Sequence, residues 1–102
     1  MSKLKVFNSE NVPSTQGTYR VGYVNATYNQ LVNLLGQPTF PEESGDGKVQ
    51  VEWVVEFEGK IFTIYDWRTY DRDYTENVLG KFNVGGKSYA SMDFIDYLES
   101  QI

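Results

Sequence analysis

The sequence predicts an α+β fold, an antiparallel sheet with two helices packed mainly on one face. Three observations carry this. VQVEWVVEF (49–57) alternates apolar and polar residues and is followed, after Glu58-Gly59, by a second strand-like run, KIFTIYDW. Two further segments have apolar residues at helical spacing, each with its own start signal. At 102 residues the chain suits one domain, 1–102, with a single modest core.

Taken in order, Leu4 and Val6 suggest a short strand or arm, and Pro13 and Gly17 mark the loop after it. Tyr19 to Val24 alternates as a strand. Thr27 and Gln30 match a capping box, Leu31, Leu34 and Leu35 form one apolar face, and Gly36 and Pro38 end the helix. The polar loop 38–47 runs into SGDGK (44–48), which lacks the spacing of a calcium loop and suits a turn before a strand. In the hairpin, a two-residue Glu58-Gly59 turn pairs Phe57 with Lys60, Val55 with Phe62, Trp53 with Ile64 and Val51 with Asp66. That register directs Tyr65 and Trp67 to the face opposite the core, beside Glu52 and Gln50. Residues 68–80, RTYDRDYTENVLG, read as a polar loop rich in Tyr and Arg. Lys81 to Val84 reads as a short strand, Gly85-Gly86 as a turn, and ASMDFIDYLES as a helix burying Phe94, Ile95 and Leu98, with Ser88 or Ser91 as its N-cap.

Composition narrows the function classes. The chain has no Cys and no His, which removes disulfides, thiol nucleophiles, zinc-thiolate sites and the commonest general base. The expectation is a protein that is not an enzyme and needs no cofactor or metal. Asp66, Asp71, Asp73 and Glu76 are the densest acidic group, and their spacing through a polar loop reads most simply as solvated charge. The net charge of −5 disfavours direct DNA binding while allowing a small anion in a local basic pocket. No apolar run suits a signal peptide or a membrane span, so a cytoplasmic protein with no membrane partner is expected.

The stretch NVGGKSY (83–89) poses the sharpest question. It resembles a phosphate-binding loop, yet Gly80 stands one position too early for G-x-x-x-x-G-K-[ST]. A glycine turn feeding a helix would still expose N–H groups beside the positive end of the helix dipole, with Lys87 and Ser88 adding a charge and a hydroxyl. The same residues also suit an ordinary helix-capping turn with Lys87 in solvent. Tyr65 and Trp67 suit a stacking platform for a planar ligand, a helix-covered face or a subunit interface.

At YVNATYNQLVNLLGQPTF, GDGKVQVEWVVEF, GKIFTIYDW and FNVGGKSYASMDFI the chain resembles a group of small proteins of tailed bacteriophages, over roughly residues 19–95. Through overall similarity of class it also resembles phage sponge proteins of the anti-CBASS 4 type, which sequester cyclic nucleotide signals of bacterial immunity in oligomers. The helix, Gly-x-Pro and antiparallel strands further resemble α+β modules of the outer-membrane assembly lipoprotein and β-lactamase-inhibitor type, from which the chain departs in its C-terminal helix. The phage resemblance implies an immune-evasion protein of the host cytoplasm, a homo-oligomer that holds a small phosphorylated nucleotide without hydrolysing it. The expected ligand-binding residues are Tyr65, Trp67, Arg68, Gly85, Gly86, Lys87 and Ser88. A protein–protein inhibitor of a host defence enzyme and an accessory phage protein are the rival readings.

Overall fold

Hydrophobic alternation builds the sheet strand by strand in the computed structural model, which describes residues 4–8, 10, 12–13, 15, 17–42, 49–67, 71–87 and 91–102. Among these residues eight elements follow in order: β1 (Leu4–Val6), β2 (Tyr19–Asn25), α1 (Tyr28–Leu35), β3 (Glu52–Phe57), β4 (Lys60–Tyr65), α2 (Arg72–Asn77), β5 (Lys81–Gly86) and α3 (Ser91–Gln101). The five strands form one sheet in the order β1-β3-β4-β5-β2, with every pairing antiparallel.

The β3–β4 hairpin has the register expected from its turn, Phe57 with Lys60, Val55 with Phe62 and Trp53 with Ile64. Both turn residues have positive φ, 51° at Glu58 and 83° at Gly59, as a tight two-residue hairpin turn with the sheet's own twist requires. The Thr27–Gln30 capping box forms, and Gly36 closes α1 with φ 85° while its N–H donates to the Val32 carbonyl.

One sheet face carries the core. Trp53, Val55, Phe57, Phe62, Ile64, Phe82, Val84 and Val24 pack with Leu31 and Leu35 of α1 and with Phe94 and Leu98 of α3. Aromatic contacts organise it: Trp53 lies between Tyr28 and Phe82, and Phe94 stacks on Phe62 with centroids 4.5 Å apart. The Trp53 indole N–H donates to the Gly36 carbonyl at 3.0 Å, so burying this ring leaves no polar atom unpaired. Gly22 allows α3 to lie close, because a Cβ there would stand 2.9 Å from Ile95 Cδ1. Glu99 accepts from both Asn25 nitrogens, fixing α3 to the end of β2.

The structure corrects three expectations. The segment read as a polar loop contains α2, N-capped by Asp71, whose side chain accepts from the N–H groups of Asp73 and Tyr74. Asp66 is not a solvated charge. It is 1% exposed, and its carboxylate accepts from the Gln50 and Val51 N–H groups and the Thr75 hydroxyl, at 2.8, 3.0 and 3.0 Å, tying α2 to the sheet. Gly85 and Gly86 are not a turn, since β5 runs through both and pairs them with Arg20 and Tyr19. Neither has positive φ. The expectations for the SGDGK turn, for Arg68 and for Ser88 fall on residues outside those described.

Candidate functional site

The second face of the sheet carries the candidate site. Its residues follow from the register in two cross-strand rows: Glu52, Tyr65, Asn83 and Tyr23, then Val54, Thr63, Gly85 and Arg20. The second row reaches Arg20 only because β2 bulges between Arg20 and Gly22. Val21 packs with the core cluster and Gly22 lies under Ile95, so the extra residue returns Arg20 to the face it shares with Tyr23.

A pocket of about 240 Å³ opens over this face. Thr63 and Gly85 form its floor and Glu52, Tyr65 and Trp67 its walls, while Thr18, Tyr19 and Val49 complete the rim. Among the described residues no helix contributes to the lining. The absence of a side chain at Gly85 is part of its shape: a Cβ there would stand 2.5 Å from Thr63 Oγ1 and 3.6 Å from Tyr65 Cε1. Trp67 is 48% exposed and meets Tyr65 edge to face, with centroids 6.4 Å apart and planes at 83°. Two perpendicular aromatic walls suit a planar ring that stacks on one and meets the edge of the other.

The charges are arranged around Tyr65. Burial raises the Tyr65 phenol above its ordinary value, the Arg20 guanidinium opposes the shift, and Glu52 adds to it. Burial also raises the Glu52 carboxyl. The Lys87 ammonium group stands against Gly17, 3.8 Å from where a Cβ would project, beside the Thr18 rim. The pocket thus has an acceptor wall at Glu52 and cations toward the Arg20 and Lys87 side.

Of the residues singled out in the sequence, Tyr65, Trp67 and Gly85 come together in the pocket, and Lys87 stands near its rim. Gly86 does not join them. It faces the core, where a Cβ would stand 2.8 Å from Phe62 Cδ1. A glycine turn of free N–H groups is absent here because both glycines belong to a paired strand, so an anion in this region would meet side chains. Arg20 was missed because the bulge that aims it has no signature in strand alternation. Glu52 was placed beside Tyr65 by the hairpin register, and the structure adds that it lines the pocket.

Among the described residues no group of three His, Cys, Asp or Glu is placed to hold a metal ion, and no helix is long and apolar enough to cross a membrane. Comparison of the chain with protein-family models, with curated proteins and with solved structures gives no match.

Proposed function

We propose that this chain is a non-catalytic binding protein that captures a small phosphorylated nucleotide on its open sheet face. The observation that carries the reading is the joining of Tyr65 and Trp67 in one pocket, with Arg20 beside Tyr65 and Lys87 near the rim. The base stacks on Trp67 against the edge of Tyr65, and the phosphate lies outside, toward the guanidinium and the ammonium group. At about 240 Å³ the pocket is smaller than the roughly 300–1,000 Å³ of sites that enclose a drug-sized ligand, so it takes one ring system and leaves the sugar-phosphate at the mouth.

The phage resemblance supplies the setting for this proposal, sequestration of a cyclic nucleotide signal of host immunity in the host cytoplasm. We further propose a homo-oligomer. Tyr19 and Tyr23 are exposed on the edge strand β2, and a second copy covering that edge would bring two pockets together for a ligand with two bases.

The test is mass spectrometry of small molecules released by heat from purified protein incubated with host-cell extract or with a cyclic-nucleotide panel. A nucleotide that emerges unchanged supports capture. An empty protein that retains one host polypeptide supports the inhibitor reading instead, which would use the same exposed aromatic face.

A further inference from the structure

Glu52 is the member of this pocket that a phosphate site does not explain. Its carboxyl is mostly withdrawn from water, yet among the described residues no side-chain hydrogen bond to it is present. Asp66 on the same hairpin shows the contrast, with three donors on its carboxylate. A carboxylate that gives up part of its hydration without a protein donor in return opposes folding, and a ligand that brings N–H groups to it would offset that cost.

We propose that Glu52 reads the base and selects guanine. The inference rests on the nucleotide-capture reading and specifies the ligand for it. A carboxylate is acceptor-only, with two oxygens that match two adjacent parallel donors. Guanine offers such a pair in its ring N1–H and its exocyclic 2-amino group. Adenine and cytosine set their amino group beside a ring-nitrogen acceptor, and uracil sets its single N3–H between two carbonyl acceptors, so each turns a lone pair toward a carboxylate. Glu52 stands in register with Tyr65, placing this acceptor in the wall of the pocket whose aromatic side is formed by Tyr65 and Trp67. A ring stacked on Trp67 can therefore present its donor edge to Glu52 while its phosphate lies toward Arg20 and Lys87. The separation of the two charge types keeps the phosphate away from the carboxylate.

The experiment is calorimetric titration of purified protein with GMP, IMP and AMP, using the wild type, Glu52→Gln and Trp67→Ala. In the wild type GMP binds about tenfold or more tighter than AMP, with IMP, which lacks the 2-amino group, between them. In Glu52→Gln the preference for GMP over AMP collapses, and in Trp67→Ala all three weaken together. Circular dichroism verifies that each variant is folded. Equal binding of GMP and AMP by the wild type, or a preference that survives in Glu52→Gln, overturns the role of Glu52 and leaves nucleotide capture standing. Failure of the folded wild type to bind any linear or cyclic nucleotide overturns both.

Discussion

Arg20 and Gly85 are cross-strand partners, although strict alternation from Val24 along β2 would send the Arg20 side chain into the core. The bulge that prevents this places a guanidinium beside Tyr65, on the face where the pocket opens. An exposed side chain that a strand irregularity directs onto an open face suits a binding role.

Arg20→Ala and Lys87→Ala are each expected to weaken nucleotide binding by about 1–3 kcal/mol, the range for a lost charge-assisted hydrogen bond, and to flatten its dependence on salt. Thermal stability should change little, since both positions are exposed. Titrations at two ionic strengths provide the check, and a variant binding as wild type at both would remove that cation from the site.

The hairpin was legible because its turn fixes the register, and from Trp53 opposite Ile64 the outward placement of Tyr65 followed directly. Helix α1 was legible from its capping box. Helix α2 was not, because its six residues, RDYTEN, carry no apolar stripe and dock through the buried Thr75–Asp66 hydrogen bond. Nor was the strand character of Gly85 and Gly86. Paired glycines usually mark a turn, and the reason for these two lies in long-range contacts, Thr63 beneath one and Phe62 beneath the other.

Gly86→Ala should therefore destabilise the fold by about 1–3 kcal/mol through overpacking against Phe62, an effect that Phe62→Leu in the same chain partly relieves. Denaturant midpoints for the two single variants and the double variant measure the coupling. Additive effects would separate Gly86 from Phe62.

Asp66→Asn should cost about 1–3 kcal/mol, because the bonds from the Gln50 and Val51 N–H groups, both to Oδ1, lose their charge assistance and an NH₂ group replaces the Oδ2 that accepts from the Thr75 hydroxyl. Amide hydrogen exchange should quicken at Gln50 and Val51 and in α2, where those bonds end. Unchanged protection there would contradict the role assigned to Asp66.

Glu52 gives the stability a pH dependence. Burial raises its folded-state pKa above the ordinary value of 4.5, so the native state binds the proton more tightly than the unfolded state. Its contribution is fully present below 4.5 and is lost as the pH rises through the elevated folded value. Glu52→Gln should thus raise the melting temperature at pH 7, with the gain disappearing below pH 4.5. The Tyr65 phenol, raised above its ordinary value of 10.0, stays neutral across that interval. Melting curves from pH 3 to pH 8 make the comparison, and a gain independent of pH would exclude the carboxyl as its source.

The chain's two tryptophans allow the most direct test of nucleotide capture. Trp53 is fully buried, with its indole N–H on the Gly36 carbonyl, while Trp67 is 48% exposed in the wall of the pocket. A ¹H–¹⁵N correlation spectrum separates their two indole signals. Titration with GMP is predicted to shift the Trp67 indole signal saturably while that of Trp53 stays in place. Two stationary indole signals across a panel of linear and cyclic guanine and adenine nucleotides would contradict capture at this site.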